Sequence, residues 1–194
     1  AAESFLLTAK PRFYVVNVGE DALGGAAALL AGDDMGAAAA QGELACVAAT
    51  RDYANQEHAE IVAVSAKLEA ELGELPAADA AEYLAALGLP VLGADRVIQT
   101  GYRALNLISF LTAGEDEVRA WTVTRDAKAP TAAGKIHTDF ERGFIRAEVV
   151  HYDDLMANNG SMKTAREHGK VRLEGKEYPV RDGDIIEFRF NVSR

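Results

Sequence analysis

The chain has 194 residues, of which 49% are hydrophobic and 26% charged, an ordinary composition for a globular protein. Its formal net charge of −10 argues against broad, nonspecific binding to nucleic acid, which is itself a polyanion. The acidic excess lies in residues 1–106, which carry 15 acidic and 6 basic side chains. Residues 107–194 are nearly balanced, so a local basic face on that half stays open.

Two further classes are disfavoured by the sequence. No apolar run approaches the roughly 20 residues that a membrane-spanning helix needs, so we expect no membrane partner. The single cysteine, Cys46, cannot form an internal disulfide, and we expect no disulfide partner and a small, buried apolar side chain at this position.

The first 75 residues read as alternating strands and helices. Residues 11–16 are mostly apolar and β-prone, which is typical of a central parallel strand that is buried on both faces, and residues 61–64 are predicted to form a second short apolar strand. Between them, residues 24–42 are rich in Gly and Ala and are predicted to form a loop insertion, followed by a helix over 43–53. After the second strand, leucines at helical spacing predict a helix over 67–75. This order indicates an α/β fold.

The rest of the chain has a different pattern. Two helices, 76–87 and 95–105, are predicted to connect the first part to a second domain over 107–194. Short strands and helices mixed in that domain indicate an α+β fold of the ubiquitin-like kind. The predicted strands are 107–112, 118–124, 144–150, 177–180 and 185–191, and the predicted helices are 131–138, 152–157 and 161–168.

The two predicted strands of the first part each end in a polar loop. Asn17-Val18-Gly19-Glu20 follows the first strand at the position where P-loop GTPases carry Asn-Lys-x-Asp, and Ser65-Ala66-Lys67 follows the second, where they carry Ser-Ala-Lys. Ligands of doubly wound folds bind at the carboxyl ends of parallel strands, so the two loops predict a purine site. An Asn amide both donates and accepts hydrogen bonds, as reading a purine edge requires. The alternative, a strand simply ended by a turn residue, stays open on these residues alone.

The loop after the first strand departs from the guanine-specific pattern at Glu20. In Asn-Lys-x-Asp the aspartate accepts hydrogen bonds from N1–H and the 2-amino group of guanine, and adenine has neither donor. The longer Glu20 side chain can also swing away from the base. The sequence therefore predicts weakened guanine reading and a preference for adenine through Asn17.

Longer motifs give a family resemblance. The two loops resemble the YchF family of Obg-like ATPases. Three longer segments share this resemblance, namely FLTAGEDEVRAWTV (110–123), AAGKIHTDFERGFIRAEVV (132–150) and EGKEYPVRDGDIIEFRFNV (174–192). The resemblance covers about residues 5–192 apart from 24–42. It implies that residues 1–75 are the carboxyl-terminal part of an Obg-type nucleotide-binding domain, 76–106 a helical connector and 107–194 a TGS domain.

The resemblance also implies a function. Members of the family are ribosome-associated P-loop ATPases, so we expect ATP as cofactor, and the base-binding residues to be Asn17, Val18, Glu20, Ser65, Ala66 and Lys67. The phosphate loop and the Mg²⁺ ligands of the family belong to an amino-terminal portion that has no counterpart in this sequence, and we expect that portion as a partner. Phosphoryl transfer needs those groups, so the chain alone is predicted to be inactive, with no catalytic or metal-binding residue of its own. We expect a cytoplasmic protein. Residues 160–163 resemble cyanobacterial and plastid versions, which adds the plastid stroma as an alternative.

The densest cluster of charged and aromatic residues, 136–150, lies in the second domain. Lys135, Arg142 and Arg146, with Phe140 and Phe144 as stacking faces, are candidates for a surface that binds RNA or the ribosome. The same residues also fit a purely structural role, with the aromatics in the core. Hence a second hypothesis stays open, namely a nucleotide-independent adaptor on the ribosome.

Overall fold

The structure is a computed structural model that describes residues 6–33, 35–36, 41–114 and 117–191. The chain forms two compact units, divided between Leu105 and Asn106. No helix among the described residues is both long and apolar enough to cross a bilayer.

The first unit is built on two parallel strands. Strands β1 (Phe13–Asn17) and β2 (Glu60–Val64) pair in register from Phe13 opposite Glu60 to Asn17 opposite Val64. A short 3₁₀ turn, Leu7–Ala9, precedes β1. The helices of this unit are α1 (Glu20–Ala31), α2 (Gly42–Gln56), α3 (Ala66–Leu72), α4 (Ala77–Ala86) and α5 (Gly93–Ala104). The residues predicted as a connector, 76–106, thus contribute α4 and α5 to the first unit, where α5 packs on both strands.

Much of the predicted loop insertion is a helix, so that prediction was wrong for residues 24–31. Helix α1 begins after Gly19 and buries Leu23, Ala26 and Leu29, which lie on one face at three-residue spacing. Glycine weakens an isolated helix, but tertiary packing of an apolar face overrides that intrinsic cost. Residues 34 and 37–40 of the predicted loop lie outside the described residues.

Two expectations about burial in the first unit were also wrong. Strand β1 is not buried on both faces, because Val15 is 48% exposed and β1 pairs only with β2 among the described residues. Cys46 lies on α2 and is exposed, since the buried face of that helix is formed by Val47 and Ala54.

The second unit is a mixed five-stranded sheet with the strand order β4-β3-β7-β5-β6. Central strands β3 and β7 are parallel, and all other neighbours are antiparallel. This is the arrangement of a β-grasp fold. The strands are β3 (Leu107–Ala113), β4 (Val118–Thr124), β5 (Phe144–His151), β6 (Arg172–Glu174) and β7 (Asp184–Phe190), and the helices are α6 (Ala129–Ile136), α7 (Thr138–Arg142), α8 (Tyr152–Ala157) and α9 (Met162–Glu167).

The prediction of a strand over 177–180 was wrong, and the fifth strand is β6 instead. The segment from 178 to 180 bonds residues 127–129 rather than the sheet, through Ala129 N–H to Tyr178 O and Val180 N–H to Ala127 O. Pro179 has no N–H to give to a sheet neighbour, and it forms only an isolated bridge with Lys128.

The two faces of this sheet are covered differently. On one face, α6 and α7 enclose a core around Phe110, Ala147 and Phe188. On the other face, a smaller cluster around Val150 and Ile185 packs against Leu155 of α8 and Ala165 of α9. Because side chains alternate along a strand, Arg146 and Glu148 of β5 lie on this second face.

Candidate nucleotide-base site

The carboxyl ends of β1 and β2 lie side by side and carry the two predicted loops. Asn17 is opposite Val64 in the parallel pair, and the backbone N–H of Val18 donates to Val64 O at 2.9 Å. The parallel register therefore brings together residues that are about fifty positions apart in the sequence.

A side-chain hydrogen bond joins the two loops. The backbone N–H of Ala66 donates to Oδ1 of Asn17 at 3.0 Å. This bond fixes the orientation of the Asn17 amide: its oxygen faces the second loop, and its NH₂ group is left to donate elsewhere. The Ala66 N–H is at the same time occupied within the protein.

A cavity of about 420 Å³ lies at these loops. Three carboxylate side chains and one lysine contribute to its wall, so its charged lining is mainly acidic. The lining residues are Asn17, Val18, Gly19, Glu20, Asp21, Glu43, Ser65 and Lys67.

The remaining predicted site residues differ in how accessible they are. Val18 and Ser65 are 6% and 2% exposed, and Val18 belongs to the apolar core of the first unit, so little of either side chain can reach a ligand. Lys67 is 86% exposed and forms an ion pair with Glu71 at 3.7 Å, one helical turn further on.

Glu20 is held by a residue that the sequence did not point to. The hydroxyl of Tyr83, on α4, donates a hydrogen bond to Oε1 of Glu20, at the first turn of α1. That bond is the main reason why the pKa of Tyr83 is raised, since ionising the phenol would place a second negative charge beside the carboxylate. The Glu20 carboxylate is thus engaged with α4.

A second acidic residue, Glu43, completes the wall of the cavity. Its Oε2 accepts the backbone N–H of Gly19 at 2.7 Å, which satisfies the amide at the start of α1. The only sequence signal for Glu43 is its place in the first turn of α2, and that signal does not indicate which loop it contacts.

The candidate surface residues of the second unit do not form one group. Lys135 lies in the last turn of α6 and Arg142 at the end of α7, on the face that these two helices cover, whereas Arg146 lies on the opposite face, which carries α8 and α9. The aromatics fit the structural alternative, because Phe144 is buried in the core and Phe140 stacks on Phe190 with ring centroids 3.7 Å apart.

Comparisons with known proteins relate the chain to one family. The sequence model of a family, YchF-GTPase_C, described as a protein of unknown function (DUF933), matches residues 107–191. The chain is 50% identical over 187 residues to the ribosome-binding ATPase YchF of Bacillus subtilis strain 168, which covers 96% of the chain and 47% of that protein.

The chain matches the carboxyl-terminal part of the YchF family. It is also 49% identical over 140 residues to Obg-like ATPase 1 of Oryza sativa subsp. japonica, covering 71% of the chain and 35% of that protein. The solved structure of the Schizosaccharomyces pombe YchF GTPase matches with a TM-score of 0.72 and 34% identity, over 96% of the chain and 45% of that structure's chain. The chain spans about half the length of the curated relatives it matches.

The YchF likeness confirms the predicted fold class, a parallel α/β part followed by a β-grasp domain. Chemically, the site offers an oriented amide and backbone groups, which are able to form hydrogen bonds with the edge of a base. Among the residues that the structure describes, no group of three or more His, Cys, Asp or Glu side chains is placed to hold a metal ion.

Proposed function

We propose that this chain supplies the base-reading end of a nucleotide site in a longer, ribosome-associated ATPase that prefers ATP to GTP. The single observation that carries the proposal is the bond from Ala66 N–H to Asn17 Oδ1, because it joins the two loops and leaves the Asn17 NH₂ group free to donate to N7 of a purine. The relatives described as ribosome-binding ATPases support the same reading.

The preference for adenine follows from the acceptors and donors at the site. A backbone N–H in the Ser-Ala-Lys loop would favour the O6 acceptor of guanine and oppose the 6-amino donor of adenine. Here the Ala66 N–H is occupied by Asn17, which removes that discrimination. Tyr83 holds one carboxylate oxygen of Glu20, so Glu20 is not free to turn both oxygens toward N1–H and the 2-amino group of guanine. Both contacts reduce the advantage that guanine would have.

Binding of the triphosphate and hydrolysis require groups that this chain does not supply. We assign the phosphate-binding loop and the Mg²⁺ ligands to the amino-terminal portion of the longer protein, and we expect the chain alone to be inactive. Among the described residues, β1 has an unpaired edge and a half-exposed Val15. Both support an association with such a portion, because an apolar strand with an unpaired edge is suited to further sheet pairing. A cytoplasmic location, where ribosomes are accessible, fits this function, with the plastid stroma as the alternative.

The decisive experiment is calorimetric titration of the longer protein, including its amino-terminal portion, with ATP and GTP. Asn17→Ala removes the N7 donor and the tether between the loops, and loss of such bonds costs about 1–3 kcal/mol, or roughly 5- to 150-fold in ATP affinity. Asn55→Ala is the matched control, because Asn55 is an exposed residue of α2 that does not line the cavity. Equal ATP affinity of the two variants would refute base reading by Asn17. Ribosome binding without any nucleotide affinity would instead favour the nucleotide-independent adaptor.

A further inference from the structure

The second unit has a groove on the sheet face that carries α8 and α9. Its volume is about 370 Å³, and it lies where β5, β6 and β7 are left uncovered by those short helices. Three arginines, one glutamate and two aliphatic side chains line it, namely Arg146, Glu148, Arg166, Val171, Leu173 and Arg189.

Two of the arginines are direct neighbours across the sheet. Arg146 of β5 is opposite Arg189 of β7 in the antiparallel pair. Like charges in directly opposite positions destabilise a sheet, so this pair is a local conflict that stability alone does not explain.

Glu148 offsets part of this positive charge. Its carboxylate accepts from Arg166 at 2.6 Å and from Arg189 at 3.2 Å, and Arg189 also pairs with Glu187 at 2.9 Å. Burial by itself would raise the pKa of Glu148, but the bonds from the two arginines outweigh burial and lower it. The carboxylate therefore remains charged and holds the two guanidinium groups in place.

Arg146 is left without such a partner. Within the part of the chain that the structure describes, its side chain makes no hydrogen bond or ion pair and is exposed. Beside it, Leu173 is 65% exposed. The groove thus combines an unpaired guanidinium, two arginines fixed by Glu148, and an apolar contact surface.

We propose that this arginine groove, defined by Arg146, Arg166 and Arg189, binds the phosphodiester backbone of ribosomal RNA. A guanidinium group matches a phosphate with two parallel hydrogen bonds, and side chains on neighbouring strands and α9 can engage successive phosphates. Leu173 then contacts a ribose or a base. The proposal rests on the ribosome association proposed above, and RNA is favoured over an acidic peptide because the relatives are described as ribosome-binding and ribosomes present mainly phosphate on RNA surfaces.

The test measures binding of this chain to a fluorescein-labelled hairpin of ribosomal RNA by fluorescence anisotropy at several salt concentrations. Arg146→Glu is the main variant, since Arg146 supports no other residue and the new carboxylate can pair with Arg189. Arg142→Glu makes the same change in net charge on the other side of the sheet and serves as the control. Circular dichroism verifies that both variants fold.

We expect Arg146→Glu to weaken hairpin binding at least about fivefold and to reduce the slope of log affinity against log salt by about one, while Arg142→Glu has a much smaller effect. Equal weakening by the two variants would overturn the proposal, as would unchanged binding by Arg146→Glu. If a polyglutamate peptide displaced the hairpin, bound more tightly, and lost affinity in Arg146→Glu, the RNA proposal would be overturned in favour of an acidic protein partner. ATP titration of the longer protein carrying Arg146→Glu separates this proposal from the nucleotide site, because Asn17 lies in the other unit.

Discussion

Replacing Tyr178 with Phe removes one hydroxyl from the buried polar network of the second unit. That hydroxyl donates to Oδ2 of Asp184 at 2.7 Å and accepts from Arg172 at 3.0 Å. Asp184 is completely buried, and its remaining partners are Arg181 N–H at 2.9 Å and the Arg172 guanidinium, which lies 3.7 Å from Oδ1. Depriving a buried carboxylate of one partner costs about 1–3 kcal/mol of unfolding free energy.

The effect should depend on pH in a defined direction. Burial, followed by the hydrogen bond to Asp184, raises the pKa of Tyr178 to about 12, whereas tyrosine in an unfolded chain titrates near pH 10. The folded state therefore keeps its proton longer than the unfolded state. The stabilisation by Tyr178 is complete below about pH 10 and is lost as the pH rises through about 12.

Urea denaturation followed by the fluorescence of Trp121, the single tryptophan of the chain, measures this effect in the second unit. We expect Tyr178→Phe to lower the unfolding free energy by about 1–3 kcal/mol at neutral pH, and the difference from the wild type to shrink between about pH 10 and 12. Tyr152→Phe is the control, because Tyr152 is a half-exposed residue of α8 in the same unit. A neutral Tyr178→Phe variant, or a difference that grows with pH, would refute this view of the network.

Two further predictions concern single contacts. Tyr83→Phe releases Glu20 and should raise the affinity of the longer protein for GTP relative to ATP. Tyr53→Phe loses a tyrosine–glutamate bond elsewhere in the first unit and should leave this ratio of affinities unchanged. An unchanged ratio in Tyr83→Phe as well would show that Tyr83 does not control Glu20. Gly143→Ala places a methyl group 2.0 Å from Asn191 O and should lower the unfolding free energy by at least about 1–3 kcal/mol in thermal denaturation, and Gly175→Ala, whose added methyl meets nothing within 4 Å, is the control. If the two alanine variants melted at the same temperature, the contact at Gly143 would have no energetic weight.

The sequence located most elements of both units because their apolar periodicity is local. It placed β1 and β2 within two residues of their observed bounds, and the two polar loops after them led to Asn17 and Ala66. The failures have physical causes. Helix α1 was missed because its two glycines are typical of a loop, although its alanines favour a helix and the burial of Leu23 and Leu29 stabilises it. A strand was assigned to 177–180 although Pro179 cannot donate to a sheet.

By itself, the sequence determined the family resemblance, the α/β and β-grasp order, and the residue types of the two polar loops after β1 and β2. Only the tertiary structure decided which other side chains contact these two loops. Glu43 reaches Gly19 across 24 positions and Tyr83 reaches Glu20 across 63, and no local pattern encodes such a contact. The same is true of Arg146, which strand pairing separates from Lys135 and places opposite Arg189. Periodicity reports which face a residue takes within its own element, whereas the neighbour on that face depends on how distant elements pack together.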